Sequence, residues 1–428
     1  ACGKLGAILQ TLNWRLAPAE LAGLIADAEP TIFVAGTAFT DAAGQILARA
    51  GSPARLITFG PEFDGLRDSQ PDTPLPDPGL RDDDPWAICY TGGTTGLPKG
   101  ALLTHGSITA NSVNTVMSWG LDSNDIAILN APLFHTGGLN VFTAPLVHCG
   151  GTSIVCAGFD AEQVFDLVER AGVTVFFGVP TMFIALQQHS RWTTADFSRL
   201  KIVISGGAAC PLPVFERFWA RGVDFKTGYG LTEAGPNTFW LPRELVRAKP
   251  GAVGWPLFHI QVQLRDERGA ECGPDQVGEL FIRGPHVAAG YWRQPDETAR
   301  AIDAAGWLST GDLARRDEDG CYTIVGRSKD MIISGGENIY PAEVESVLHG
   351  HPDVAEAAVV GVPDPKWGEV GRAYIVPRAG TAPAADALIA FCQAQLARFK
   401  IPKSFVLVAS LPKTGAGKVD KKALQRDA

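Results

Sequence analysis

Residues 160–209 read DAEQVFDLVERAGVTVFFGVPTMFIALQQHSRWTTADFSRLKIVISGGAA, and the spacing of apolar residues changes repeatedly along them. Asp160 with Gln163 three positions later is a helix N-cap signal, and Val164, Leu167, Val168 and Ala171 then form one helical face. Val173-Thr174-Val175-Phe176-Phe177 is a β-branched and aromatic run that predicts a strand. A helix is predicted from Thr181, then a strand at Ile202-Val203-Ile204 that runs into Ser205-Gly206-Gly207-Ala208-Ala209. Such alternation predicts an α/β fold with a largely parallel sheet.

The alternation extends upstream. A strand is expected at residues 126–129, a helix at 107–119 and a buried strand at Ala87-Ile88-Cys89-Tyr90. Leu21, Leu24, Ile25 and Ala28 share helical spacing, and Thr31-Ile32-Phe33-Val34 follows as a strand. Residues 61–84, rich in proline and aspartate, predict a surface loop. Downstream of Val253 the pattern becomes short strands with Gly-rich turns, ending at Gly326-Arg327. A second α/β unit follows: a helix opened by Pro341, a strand at 354–360, a helix at 385–396 and a strand at 405–408. The domain boundary is placed near Asp330, giving a large domain over residues 1–329 and a small one over 330–428.

Composition narrows the function classes. The apolar content of 46% with 19% charged residues suits large globular cores, and 428 residues suit at least two of them. A formal charge of −9 lacks the basic footprint of a nucleic-acid binder, so no nucleic-acid partner is expected. The eight cysteines include no C-x-x-C pair and read as reduced thiols. The most apolar stretch, residues 173–186, is too short to span a bilayer, so no transmembrane segment and a soluble, cytoplasmic protein are expected.

Chemistry is suggested first by Thr91-Gly92-Gly93-Thr94-Thr95-Gly96-Leu97-Pro98-Lys99-Gly100, directly after the 87–90 strand. Glycine backbone N–H groups, threonine hydroxyls and a lysine describe a phosphate cradle. It is not a Walker loop, because Leu97-Pro98 separates Gly96 from Lys99. Taken alone, the same stretch also reads as a Gly/Thr-rich surface turn.

Five further stretches place Gly turns beside charged or aromatic residues. They are Phe134-His135-Thr136-Gly137-Gly138, Tyr229-Gly230-Leu231-Thr232-Glu233, Ser309-Thr310-Gly311-Asp312 with Gly326-Arg327, Ser334-Gly335-Gly336-Glu337-Asn338, and Lys413-Thr414-Gly415-Ala416-Gly417-Lys418. An aromatic can stack on a base, a hydroxyl and a carboxylate suit a phosphate and its Mg²⁺, and a carboxylate can hold vicinal ribose hydroxyls. Each has an ordinary structural alternative: a core histidine or tyrosine, a turn-forming aspartate, a surface ion pair, a solvated basic tail.

In order and spacing, these stretches together resemble the adenylate-forming superfamily of acyl-CoA synthetases, peptide-synthetase adenylation domains and firefly-type luciferases. The likeness runs along essentially the whole chain. The Phe134-His135 stretch and the run from Gly326 to Glu345 look most like fatty- and aryl-acid ligases. The resemblance implies that a carboxylate attacks the α-phosphate of ATP to give acyl-AMP and pyrophosphate, after which the CoA thiol displaces AMP. It implies a multi-layer α/β large domain with a β-rich subdomain, and an α+β C-terminal domain that rotates about a hinge at Asp330. The implied partners are a small-molecule carboxylic acid and CoA, with ATP and Mg²⁺; a homodimer is left open.

Residue by residue, the likeness places Thr91, Gly92, Gly93, Thr94, Thr95, Gly96 and Lys99 over the β- and γ-phosphates. Gly206, Gly207, Ala208, Tyr229 and Gly230 enclose adenine, and Asp312 and Arg327 hold ribose. Thr232 contacts the α-phosphate, Glu233 carries the metal, and Lys418 bridges the reacting carboxylate and α-phosphate. His135 closes the acyl pocket, to which Met182 and Phe183 are expected to contribute. Gly335, Gly336, Glu337, Trp367 and Phe399 are CoA candidates. Two departures stand out. Gly92 occupies a position where many relatives have serine, and the chain opens at a segment that relatives reach only after earlier elements, so the large domain is expected to be N-terminally incomplete. The alternatives are a non-catalytic nucleotide-binding relative, or an adenylating enzyme with a different acceptor.

Overall fold

The computed structural model describes residues 1–91, 98–414 and 418–426. At the centre of the large body five parallel strands lie in the spatial order Lys226–Thr227, Ile202–Ser205, Val175–Gly178, Ile126–Leu129, Thr152–Val155. The three inner strands are unbroken apolar runs because both sheet faces are covered. Ile128, Phe176 and Val203 point into one core with the helices Ala161–Arg170, Pro180–Gln188 and Leu212–Trp219. Ala127, Leu129, Val175, Ile202 and Ile204 point into the other, with Trp119, Phe142 and Leu146. Aromatic side chains dominate the first core. Phe183 and Phe225 meet edge to face at 4.7 Å, a geometry worth about 0.5–1.5 kcal/mol beyond the area buried.

From Ile126–Leu129 the chain passes to Thr152–Val155 on one side, then crosses back to Val175–Gly178 on the other side and continues outward to Ile202–Ser205. Such a reversal opens a crevice beyond the carboxyl ends of the strands, where α/β proteins bind ligands. The segments starting at Asn130, Val179 and Gly206 all leave the sheet at that edge.

Smaller sheets surround this one. Leu9–Thr11 runs parallel to Pro85–Thr91, which pairs antiparallel with Lys99–Thr104. Ile32–Ala35 and Arg55–Thr58 form a parallel pair packed with Pro18–Ala28 and Thr40–Ala50. Gln261–Arg265, Val277–Arg283, Leu308–Arg316 and Tyr322–Arg327 form a four-stranded antiparallel sheet. After a 3-10 turn at Ser328–Asp330 comes a five-stranded C-terminal sheet of Glu337–Ile339, Ile332–Ser334, Gly368–Pro377, Val354–Asp364 and Ser404–Leu407. The helices Pro341–His349 and Ala385–Gln393 pack on this sheet. The architecture is therefore α/β with mostly parallel strands in the large body, a β-rich portion and an α+β C-terminal part.

Two expectations are corrected. Residues 61–84 are not all loop, because Pro61–Asp68 is a helix with Pro at its start, Glu62 and Asp64 in the first turn and Arg67 in the last. It buries no residue completely, so it carries no apolar stripe to betray it. The strand expected from Val173 begins only at Val175. Thr174 leads into it: its N–H donates to Ile126 O at 2.9 Å, while its hydroxyl donates to Asp125 Oδ1 at 2.8 Å and accepts from the Ile126 N–H at 3.0 Å. All eight cysteines are free.

Candidate active site

The site is built at the sheet edge just described. Ile202–Ser205 ends in Gly206, whose N–H donates to Gly178 O at 3.1 Å, and Gly228 N–H donates to Ser205 O at 2.7 Å. These two bonds set the Gly206-Gly207-Ala208 bend beside the Gly228 to Gly230 turn. Gly230 admits no side chain, since a Cβ there would lie 2.2 Å from Pro236 O. Tyr229 donates its phenol to Asp312 Oδ2 at 2.6 Å, joining residues far apart in the chain. Burial pushes the Tyr229 pKa well up, so the phenol stays protonated and remains a donor. Asp312 and Arg327 face each other in register on adjacent strands, with Nε 3.4 Å from Oδ1. The Thr310 hydroxyl accepts from the Asp312 N–H at 3.1 Å and donates to Leu280 O at 2.7 Å, fixing the turn. Tyr229, Asp312 and Arg327 thus form one pre-assembled wall.

The second group lies at the end of Pro85–Thr91. Thr232–Ala234 is a single 3-10 turn, so Thr232 opens the turn that presents Glu233. Glu233 Oε1 accepts from the Thr91 hydroxyl at 3.2 Å and from the Tyr291 phenol at 3.0 Å. Lys99 forms an ion pair with Glu297, and its amine also lies 5.2 Å from the Tyr291 ring centre. Gly92, Gly93, Thr94, Thr95 and Gly96 lie outside the described residues.

The C-terminal part delivers Lys418. Thr414 N–H donates to Lys418 O at 2.7 Å, and Asp420 N–H donates to Pro412 O at 2.8 Å, so the backbone at the lysine is paired with residues 412–414. Its side chain crosses Gly207, with Cε and Nζ 3.6 and 4.0 Å from where a Cβ would stand. Gly207 has φ +80°, so a larger residue would be strained as well as crowded. Burial, and then the nearby Arg327 charge, lower the Lys418 pKa, while Asp312 pulls it back up.

His135 stands on the other side of Lys418. Its Nε2 is buried without a partner, and its pKa falls to about 4 through burial, Lys418 and Arg15. The imidazole is therefore neutral near pH 7. Phe134 lies 5.2 Å from it, and the Phe177 ring packs against both Gly137 and Gly206. Met182 lies near Gly178, at the start of Pro180–Gln188, whereas Phe183 is wholly buried in the aromatic core and lines no slot.

On the small unit, Gly335 N–H donates to Trp367 O at 2.8 Å, which brings these two candidates together. Glu337 opens the strand Glu337–Ile339 next to Gly336. Trp367 and Phe399 are exposed aromatic rings, and Asp330 ends the turn between the two large sheets.

Residues 1–292 match the AMP-binding enzyme family, and residues 343–418 match the AMP-binding enzyme C-terminal domain. The chain belongs to the AMP-binding enzyme family. It is 43% identical over 426 residues to a feruloyl-CoA synthase of an Amycolatopsis species, spanning all of this chain and 85% of that one. It is 37% identical over 430 residues to an indoleacetate–CoA ligase of Aromatoleum aromaticum, covering 98% of this chain and 83% of that one. Among solved structures, ATP-bound MatB from Rhodopseudomonas palustris superposes with a TM-score of 0.91 at 34% identity, over 99% of this chain and 84% of that one.

Two residues of this AMP-binding enzyme escaped the sequence reading: Tyr291 and Glu297. The only local signal was Pro295 at the head of a short helix, Pro295–Ala301, with Asp296 and Glu297 in its first turn.

Proposed function

We propose that the acid activated here is an aryl acid, held in the slot between Phe134, His135 and Phe177, and that Glu233 carries the Mg²⁺ of the bound nucleotide. The enzyme itself is an AMP-forming acid–CoA ligase, the activity named for relatives aligned along its whole length. The observation that carries the reading is the meeting of Tyr229, Asp312, Arg327 and Lys418 at one edge of the parallel sheet.

The chemistry follows from charge. Two anions, a carboxylate and a triphosphate, must approach, so fixed positive charge at the reacting oxygens lowers the barrier. Lys418 supplies it, bridging the acid carboxylate and the α-phosphate. Thr232 holds an α-phosphate oxygen, and Asp312 with Arg327 holds ribose against Tyr229 and the Gly206-Gly207-Ala208 bend. The carboxylate oxygen bonds to the α-phosphorus and pyrophosphate leaves with the electron pair. Glu233 suits a hard cation: it offers a carboxylate oxygen already faced by two hydroxyls. Bound there, Mg²⁺ would neutralise phosphate charge. Among the described residues no group of three or more His, Cys, Asp or Glu could hold a metal ion.

In the second step the CoA sulfur attacks the acyl carbon and AMP leaves. Lys418 then obstructs the thiol path, so the small unit, residues 330–428, turns about Asp330 and brings Gly335, Gly336 and Glu337 to the acyl group. Trp367 and Phe399, both exposed, stack on the CoA adenine. Among the described residues no helix is long and apolar enough to cross a membrane.

Aryl preference is supported by the aromatic acids named in both relatives and by the rings that flank the slot. Pyrophosphate release measured with ferulate, indole-3-acetate and octanoate tests it. Ferulate or indole-3-acetate should give the highest kcat/KM, and octanoate as the best substrate would reassign the slot to aliphatic chains.

A further inference from the structure

The stretch from residue 288 to residue 300 is tied to everything at the phosphate end of the cleft. Its backbone forms an extra strand-like edge on Lys99–Thr104: Leu102 N–H donates to Gly290 O at 2.9 Å, Ala289 N–H to Leu102 O at 3.0 Å, and Trp292 N–H to Gly100 O at 2.7 Å. Ala288 N–H donates to Glu233 O at 2.8 Å, so the same stretch also holds the backbone of the acidic residue. Its side chains repeat the pattern, with Tyr291 on Glu233 Oε1 and Glu297 on Lys99. The far side is anchored as well: Trp292 Nε1 donates to Asp27 O at 3.2 Å, and Arg293 pairs with Glu29 at 2.8 Å. Thr91 and Lys99, the residues flanking 92–97, are thereby held by one segment, Thr91 through Glu233 and Lys99 through Glu297.

Lys99 is the informative member. Its side chain is 18% exposed and that of Glu297 is 23% exposed, so the pair is largely withdrawn from solvent. Arg300 also pairs with Glu297. The lysine charge is therefore already matched by a direct ion pair and lies beside an aromatic ring, whereas Lys418 has no ion pair among the described residues.

We propose that Tyr291 and Glu297 are positioning residues for nucleotide binding, and that Lys99 serves as the anchor they grip instead of as a phosphate ligand. This rests on the ATP-site reading above. The segment acts as a strap that holds Glu233 and both flanks of residues 92–97 in place before the triphosphate arrives.

The test is calorimetric binding of α,β-methylene-ATP with Mg²⁺, needing no acid and no turnover, beside KM and kcat in the pyrophosphate assay. Glu297→Gln should weaken analogue binding and raise KM for ATP about tenfold, the scale of one charge-assisted hydrogen bond, with kcat and KM for the acid within about twofold. The exchanged pair Lys99→Glu with Glu297→Lys should recover most of that loss, since a strap needs the pair and not its polarity. A phosphate-ligand role predicts the opposite, because a carboxylate at position 99 would repel the triphosphate. Unchanged or tighter analogue binding by Glu297→Gln, or an exchanged pair worse than the single variant, overturns the proposal. If the wild-type protein binds the analogue but turns over no acid, the function fails while the strap is still decided by the binding constants. If it binds no analogue, the strap falls with the site.

Discussion

Asp312 and Lys418 reach the cleft from different bodies and in different electrical states. Asp312 arrives paired, with Tyr229 donating to one oxygen and Arg327 beside the other, on a strand fixed by its neighbours. Lys418 arrives from the C-terminal part, its backbone paired with Thr414, desolvated against Gly207 and without an ion pair among the described residues. The Tyr229, Asp312 and Arg327 wall is complete before any ligand binds. The lysine makes no ion pair among the described residues, and the Asp312 charge offsets only part of what burial and Arg327 take from its pKa. A group that must serve one step and then withdraw gains from having no protein partner to leave.

The strongest way to break this contrast is Lys418→Ala. Acyl-adenylate formation should fall on the order of 10³-fold, the size of losing a preorganised charge at the reacting oxygens. Thioester formation from synthetic acyl-AMP should stay within about threefold. Equal loss in both assays would mean that Lys418 is a fixed wall residue like Asp312.

Asp330→Pro sharpens it from the other side. A rigid ring at the turn between the bodies should cost thioester formation about a hundredfold, a loss of the size seen when reacting groups are misplaced, and leave pyrophosphate release nearly intact. Stopped-flow separation of the two half-reactions checks it, and unimpaired thioester formation would remove the need for rotation.

A smaller effect is expected within the wall. Tyr229→Phe deletes one hydrogen bond to Asp312 and should raise KM for ATP about fivefold with kcat kept, since the bond holds ground state and transition state alike. A fall in kcat alone would place Tyr229 in the chemistry.

The smallest is a displacement in pH. Lys418 must be protonated to act, and burial lowers its pKa, so adenylation should decline as pH rises through that lowered value, below the ordinary lysine range. Lys418→Arg, charged throughout, should keep part of the activity and carry the alkaline limb to higher pH. Identical limbs in the two proteins would assign the titration elsewhere.

Much of the large body was legible because its signals are local. Asp160 caps Ala161–Arg170 by accepting from the Gln163 N–H at 2.8 Å, and Ile126–Leu129 lies where its apolar run predicts. The surface helix Pro61–Asp68 was missed because end charges and a leading proline, not a buried stripe, define it. Tyr291 and Glu297 were missed for another reason. Nothing about a tyrosine in a turn, or a glutamate in a helix first turn, distinguishes a strap from a solvated surface until the strand it pairs with is in place.

By itself the sequence determined the alternation of strands and helices and the family, because periodicity, capping and short motifs are written within a few neighbouring positions. Only the tertiary structure decided that Tyr229 grips Asp312, that Lys99 is spent on Glu297, and that Lys418 lies against Gly207 with its charge in reserve. Those are contacts between residues remote in the chain. Their burial and electrostatics come from surfaces that exist only once the sheet has assembled and the C-terminal part has docked on it.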